Sequence, residues 1–221
     1  LKNGKCTEDI FYKRVPLEKV RPLIAIPTTC GTGSEVSNIS VTEMTKLNTK
    51  MGLAIDELYP DYAVLIPELL TDLPYKFFAA SAIDALIHAI ESYMSPKATI
   101  YTELYSKEAM NMILEGFQKI VKEGHDARLS MLDQFLNASN LAGIAFNNAG
   151  NGAVHAMSSP LSGKYHVSHG VANYQFFTAV FKEYTEKNPT GKINALNKYL
   201  STILDCDINE VYIKLEELLD K

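Results

Sequence analysis

The sequence predicts an α/β segment followed by an all-helical one. Two short apolar runs, residues 22–27 and 63–67, lie in the first third of the chain and suit buried strands. In the remainder, apolar residues recur at helical spacing and no alternating pattern returns. Strands that precede helices in this way are typical of an α/β piece joined to a helical domain. We therefore expect two domains, residues 1–74 and 75–221.

Composition narrows the class of protein. The chain has 221 residues, of which 47% are hydrophobic, and a net charge of −5, without the basic patch of a nucleic-acid-binding protein. No apolar run approaches the roughly 20 residues that cross a bilayer. Cys6, Cys30 and Cys206 lie far apart, which fits a reducing compartment. We expect a soluble, cytoplasmic protein with no nucleic-acid or membrane partner. Because the chain starts at Leu1 and stops directly after an amphipathic run, we also expect a fragment.

The strand-rich part contains one loop whose residue types suit ligand binding. The charged residues 1–22 predict a weak edge strand or a connecting loop, and residues 36–44 and 50–55 predict a hairpin. Between them, residues 28–35 read Thr-Thr-Cys-Gly-Thr-Gly-Ser-Glu, whose backbone N–H groups and hydroxyls are suited to a phosphate. The loop is not a GxGxxG fingerprint, since position 36 is Val36. Taken alone, an ordinary turn explains it better.

The helical part divides into segments with distinct apolar faces. Residues 105–120, 129–146 and 208–219 carry apolar side chains at helical spacing, and Asp207 is a candidate N-cap for the last of them. The second half of the middle segment is small, which predicts a close helix neighbour. Its small residues are Ala138, Ser139, Ala142 and Gly143.

Four of the five histidines fall in two short stretches, residues 82–93 and 152–170. Asp84 and His88 are four apart in a helix-forming context, so both side chains leave the same helix face. A carboxylate and an imidazole placed in this way can share one divalent ion, and two more histidines complete a tetrahedral set. For the pair alone, a buried Asp–His hydrogen bond without a metal is the preferred interpretation, and the clustering of four histidines in the two stretches shifts the preference to a metal site. The fifth histidine, His125, is expected to be a solvated loop residue.

Together these motifs resemble the iron-containing alcohol dehydrogenase family. The resemblance rests on Pro27-Thr-Thr-Cys-Gly-Thr-Gly-Ser-Glu35, Asp84-Ala-Leu-Ile-His-Ala-Ile-Glu-Ser-Tyr93, Val154-His155 and His169-Gly170, in that order. It covers essentially the whole chain and is strongest for the members that interconvert 4-hydroxybutyrate and succinate semialdehyde. It implies that the first domain is the C-terminal portion of an incomplete dinucleotide-binding domain. The second is implied to be an all-α metal-binding, catalytic domain, truncated at its C-terminus.

The resemblance also implies a set of site residues. The metal, Fe²⁺ or Zn²⁺, would be held by Asp84, His88, His155 and His169. The cofactor, NAD with NADP as the alternative, would lie against Thr28, Thr29, Gly31, Thr32, Gly33, Ser34 and Lys50.

This sequence departs from the family pattern at two points. Ser159 stands where many members have a further histidine in the cleft, and the upstream Gly-Gly-Gly-Ser loop is absent. His166 is therefore a candidate for part of the proton-transfer role. Lys164 and His166 are also candidates for binding a substrate carboxylate, although a solvated loop lysine is an equally good interpretation of Lys164.

The expected reaction is reversible hydride transfer between a nicotinamide and 4-hydroxybutyrate, or another small hydroxy acid or short primary alcohol, with the metal as Lewis acid. An Asp/His₃ site also suits a metal-dependent hydrolase. The loop of residues 28–35, which is suited to a phosphate, favours a nucleotide cofactor instead. A purely structural metal is disfavoured because no cysteine lies nearby. We expect a homo-oligomer, and we expect these 221 residues alone to be inactive.

Overall fold

The structure, a computed structural model, describes residues 7–15, 17–44 and 49–221. It confirms a small α/β part followed by a mostly helical remainder. The first part contains helix α1 (Thr7–Phe11) and four strands, which are β1 (Ile24–Ala25), β2 (Ile39–Met44), β3 (Thr49–Ala54) and β4 (Tyr62–Ala63). Seven further helices follow. They are α2 (Tyr75–Met94), α3 (Ile100–Glu123), α4 (Leu132–Ala149), α5 (Ala153–Tyr165), α6 (His169–Lys187), α7 (Lys192–Leu204) and α8 (Val211–Leu219).

The predicted hairpin is present. Strands β2 and β3 pair antiparallel, with Ile39 opposite Ala54 and Glu43 opposite Lys50. The turn predicted between the strands lies largely outside the described residues, and so does the side chain of Lys50. The hairpin therefore places the backbone of Lys50 without showing what its ammonium group contacts.

The two predicted buried strands are shorter and more exposed than expected. Strands β1 and β4 pair in parallel over two residues each, with Ile24 opposite Tyr62. These two side chains are 57% and 63% exposed, since no other strand of the described residues pairs with β1 or β4. The edge strand or loop predicted near the start is replaced in part by α1, because Phe11 packs with Met44 and Leu53 in a small apolar cluster.

Helix α2 is the centre of the helical part. Every residue from 82 to 93 is buried, and the helix packs against α3, α4 and α6. A helix that is apolar on all sides belongs in the interior of a protein. None of the described helices combines the length and the apolar character that crossing a bilayer requires. The polar groups on α2, among them Asp84 and His88, are therefore held inside a protein core.

Helix boundaries differ from the predicted ones at three places. Helix α4 begins later than predicted, because a 3₁₀ turn (His125–Ser130) precedes it and Leu129 is 45% exposed. Asp207 caps a 3₁₀ turn in front of α8, where its carboxylate accepts from the backbone N–H of Asn209. Helix α7 was not predicted, although Ile193, Leu196 and Leu200 have helical spacing and are buried.

The close contact of α3 with α4 depends on Gly116. A Cβ at this position would come 2.5 Å from Cζ of Phe135. Phe135 is 1% exposed, and the rings of Phe78 and Phe117 lie 4.8 and 5.5 Å from its own, so it has no room to turn away.

We therefore expect Gly116→Ala to destabilise the protein. The overpacking cost of about 1–3 kcal/mol should exceed the gain of roughly 1 kcal/mol from the higher helix propensity of alanine. Urea denaturation followed by circular dichroism measures the difference. The control is Glu115→Ala, an exposed neighbour on the same helix. A free energy of unfolding equal to or above that of the unsubstituted protein would contradict this packing.

Candidate metal centre

Three helices bring the four predicted ligands together. Asp84 and His88 lie in the middle of α2, His155 in the first turn of α5, and His169 at the start of α6. One ligand atom from each lies within 4.8 Å of the other three. Oδ1 of Asp84 is 3.6 Å from Nε2 of His155 and 3.7 Å from Nε2 of His169. Three imidazole nitrogens and one carboxylate oxygen form a donor set that suits Zn²⁺ or Fe²⁺.

In two of the histidines, Nδ1 lies within hydrogen-bond distance of a protein acceptor. Nδ1 of His88 lies 3.3 Å from the carbonyl oxygen of Gly31, and Nδ1 of His155 lies 2.5 Å from Oε2 of Glu91. When Nδ1–H donates in this way, the lone pair of Nε2 is directed to the other side of the ring. Nε2 of His155 is buried and has no hydrogen-bond partner. A buried nitrogen of this kind is what a metal ligand requires, so the residues fit the ion that the donor set implies.

The ionisation of the buried side chains favours a cation at the cluster of four predicted ligands. Burial lowers the pKa of His88 to about 4, although Asp84 acts in the opposite direction. Burial also opposes charge on Asp84, but the nearby histidines outweigh it and hold the pKa of this carboxyl well below its usual range. For Glu91, burial is likewise outweighed by the hydrogen bond to His155, and its pKa is lowered. Burial lowers the pKa of His155, but the carboxylates of Asp84 and Glu91 raise it to about 9, so binding of a metal ion by Nε2 would release a proton.

Asn173 is a further member of the centre that sequence reasoning missed. Its Nδ2 donates to Oδ1 of Asp84 at 2.6 Å and lies 3.2 Å from Nε2 of His169. Ser158 in turn donates to the side-chain oxygen of Asn173. The sequence contained one signal for this role. Asn173 lies four residues after His169 on α6, so the two side chains leave the same helix face. Asn173 thus fixes the orientation of the Asp84 carboxylate.

The predicted cofactor loop is pressed against the helical part. A Cβ on Gly31 would come 2.6 Å from the carbonyl oxygen of Ser81, and one on Gly33 would come 2.4 Å from Cα of Gly143. Gly33 also has a φ of +55°, which favours glycine. At Gly143 the close neighbour of α4 is therefore this loop and not the predicted helix.

A cavity of about 580 Å³ lies beside the four ligands. Its lining residues are Thr32, Ser34, Ser37, Ile39, Val41, Glu43, Gly52, Asp84, His88, Phe146, Asn151, His155, Ser159, Ser162 and His169. Among the predicted cofactor-binding residues, Thr32 and Ser34 line this cavity, whereas Thr28, Thr29 and the two loop glycines do not. The cavity therefore connects one face of the loop to the metal centre.

The structure does not bring Lys164 and His166 to the cavity. Both are exposed, and the ammonium group of Lys164 lies 5.3 Å from the ring centre of Tyr165. His166 ends α5 in the left-handed region, with a φ of +54°. Their proposed role stays a prediction. Ser159, which occupies the position of the family histidine, lines the cavity and donates to the carbonyl oxygen of His155 at 2.8 Å.

An Asp/His₃ cluster that faces a cavity, with one predicted ligand half-exposed and an α/β loop beside it, has the open arrangement typical of catalytic metal sites rather than the closed arrangement of structural ones. The chain belongs to the iron-containing alcohol dehydrogenase family. Its residues 78–221 match the model of the C-terminal part of the Fe-containing alcohol dehydrogenase family, and residues 1–67 match the model of iron-containing alcohol dehydrogenase.

Individual relatives agree with this assignment. The chain is 56% identical over 213 residues to the 4-hydroxybutyrate dehydrogenase of Clostridium kluyveri, covering 96% of this chain and 57% of the relative. A crystal structure of 1,3-propanediol oxidoreductase matches at 28% identity and a TM-score of 0.77, covering 93% of this chain and 53% of the other. The sulfoacetaldehyde reductase of Bifidobacterium kashiwanohense in complex with NAD⁺ matches at 27% identity and a TM-score of 0.77, covering 89% and 51%. The chain thus spans about half the length of these relatives.

We expect the purified protein to bind one Fe²⁺ or Zn²⁺, and the double variant His155→Ala/His169→Ala to bind none, because two of its four ligands are gone. Elemental analysis after gel filtration measures the metal content. His125→Ala is the control, since His125 stacks on Tyr75 with ring centres 3.6 Å apart and lies outside the ligand cluster. Unchanged metal content in the double variant would contradict the ligand assignment.

Proposed function

We propose that this protein is a metal- and NAD-dependent oxidoreductase that interconverts 4-hydroxybutyrate and succinate semialdehyde. The observation that carries the proposal is the Asp/His₃ cluster on a cavity that is also lined by two hydroxyls of the 28–35 loop. The identity of 56% to a 4-hydroxybutyrate dehydrogenase supports the choice of substrate, and a similar structure with NAD⁺ supports the choice of cofactor. A metal-dependent hydrolase does not need a nucleotide, so the 28–35 loop favours the oxidoreductase over the hydrolase.

The protein's own residues have three tasks in this reaction. Asp84, His88, His155 and His169 hold the metal ion. When bound, Fe²⁺ or Zn²⁺ supplies Lewis acidity toward the alcohol oxygen, and the nicotinamide exchanges the hydride. Thr32 and Ser34 present hydroxyls to the cofactor from one side of the cavity. Phe146 stacks on the ring of His88, with ring centres 4.4 Å apart, and shields that ligand from water.

The walls of the cavity suit a short carbon chain. Ile39 and Val41 of β2 supply apolar surface to the wall of the cavity that the four predicted ligands also line. No lysine or arginine appears among the described lining residues, which instead include the hydroxyl and amide groups of Ser37, Asn151 and Ser162. A substrate carboxylate would be bound by such neutral donors, or by Lys164 and His166 as the sequence predicts.

A second candidate is the oxidation of an uncharged short primary alcohol. The observation in its favour is the same set of lining residues, which includes the carboxylate of Glu43 and no cation among the residues described. A negative charge in the cavity wall disfavours a carboxylate-bearing substrate unless another group offsets it. The two candidates share the metal centre and the cofactor and differ only in the end of the substrate that is remote from the reaction.

The discriminating experiment compares 4-hydroxybutyrate with 1-butanol, which has the same number of carbons and no carboxylate. In the protein expressed at its natural length with Fe²⁺ or Zn²⁺, we expect NAD reduction with a kcat/KM at least about 10-fold higher for 4-hydroxybutyrate. A charge-assisted hydrogen bond of about 1.5–3 kcal/mol accounts for such a factor. Equal rates would favour the second candidate. Metal binding without oxidation of either alcohol would contradict both.

A further inference from the structure

One buried carboxylate touches the metal centre without being one of its four ligands. Glu91 is 3% exposed and lies on α2, seven residues after Asp84 and three after His88. Residues at this spacing share one face of a helix. The same helix face thus carries two metal ligands and, one turn further along, a second carboxylate.

The two oxygens of Glu91 have different partners on α5. Oε2 lies 2.5 Å from Nδ1 of His155, and Oε1 accepts the backbone N–H of Val154 at 2.7 Å. Helix α5 has no side-chain cap of its own, because its N-cap residue is Gly152. A Cβ on Gly152 would come 2.8 Å from Oε1 of Glu91, so glycine is needed for this approach. Glu91 therefore anchors the first turn of a helix that is distant in sequence.

From this geometry we propose that Glu91 is the positioning residue that makes His155 a metal ligand through Nε2. The proposal rests on the metal centre of the proposed function. By accepting Nδ1–H, the carboxylate fixes the tautomer in which Nε2 carries the lone pair, and it fixes the plane of the ring. By accepting the N–H of Val154, it holds the helix turn that carries the ring. Nε2 of His155 remains buried with no hydrogen-bond partner, directed into the ligand cluster.

Both bonds require acceptor oxygens, and this makes glutamine an informative replacement. If the amide oxygen of glutamine faces Val154, its NH₂ faces Nδ1 of His155 and selects the tautomer with a proton on Nε2, which cannot bind a metal. If the amide is turned round, the NH₂ opposes the N–H of Val154, and two donors meet. A side chain of nearly equal size thus cannot satisfy both partners.

The first test is Glu91→Gln in the full 221-residue chain, with Zn²⁺ and Co²⁺ as probes. We expect a loss of metal affinity of about 10–100-fold, measured by competition with a chromophoric chelator. We also expect a changed visible absorption spectrum of bound Co²⁺. The control is Glu103→Gln on α3, which removes the same charge from an ion pair with Lys192 of α7, 2.6 Å away. Circular dichroism of the metal-free variants checks that each is folded.

The outcomes separate this inference from the function on which it rests. If the unsubstituted protein binds neither ion, the metal centre itself is refuted. If it binds both ions and Glu91→Gln binds them within about twofold as tightly, with the same Co²⁺ spectrum, Glu91 is only a cap for α5 and the inference is wrong.

A second measurement needs no variant, and it decides the question if Glu91→Gln does not fold. Long-range ¹H–¹⁵N correlation spectra of the unsubstituted, Cd²⁺-loaded protein report which ring nitrogen of His155 carries a proton. We expect a proton on Nδ1, and a coupling of ¹¹³Cd to Nε2. A protonated Nε2, or coupling of the metal to Nδ1, would overturn the proposal.

Discussion

The rest of the structure depends on a backbone-to-backbone contact between the 28–35 loop and two helices. At Gly31 and Gly33 the loop approaches α2 and α4 so closely that no side chain fits. The contact places the carbonyl oxygen of Gly31 beside Nδ1 of His88, so a residue of the α/β part completes the environment of a proposed metal ligand in the helical part. It also fixes one wall of the cavity. The strands on either side of the loop hold it in this position, and its glycines are required by protein packing.

A second constraint follows from putting Asp84, His88 and Glu91 in the middle of a core helix. Burying a charged or polar group without a partner costs several kcal/mol. Hydrogen bonds to four residues outside α2 offset this cost, namely Gly31, Val154, His155 and Asn173. All of them lie in the loop, α5 or α6. The polar face of α2 thus determines how these three segments pack around it.

Much of this was predictable from the sequence, and the exceptions have physical reasons. The predicted ligand pair on α2 follows from the i,i+4 spacing together with the clustering of four histidines in two stretches, and the hairpin follows from composition. The partners of Glu91 and Asn173 lie 63 and 89 residues away along the chain, so no local pattern reveals them. The small residues of α4 predicted a close helix neighbour, whereas at Gly143 a loop makes the close approach, because small side chains permit either kind of neighbour. The prediction that two strands are buried was wrong. Apolar composition shows that a strand tends to be buried, but it does not show which part of the protein would cover the strand.

Helix α5 has a consequence for the order in which parts of the molecule lose structure. It contains Pro160 in its interior, which opposes an isolated helix, and it has no side-chain cap of its own. Its first turn is secured by Glu91 and would be secured further by an ion shared with α2 and α6. Ligand linkage stabilises a protein by about 2.7 kcal/mol when the free ion is at 100 times its dissociation constant. If the metal centre is occupied as proposed, the supply of metal would regulate the local opening of α5, and amide hydrogen exchange in this helix would follow the metal concentration while α2 stays protected.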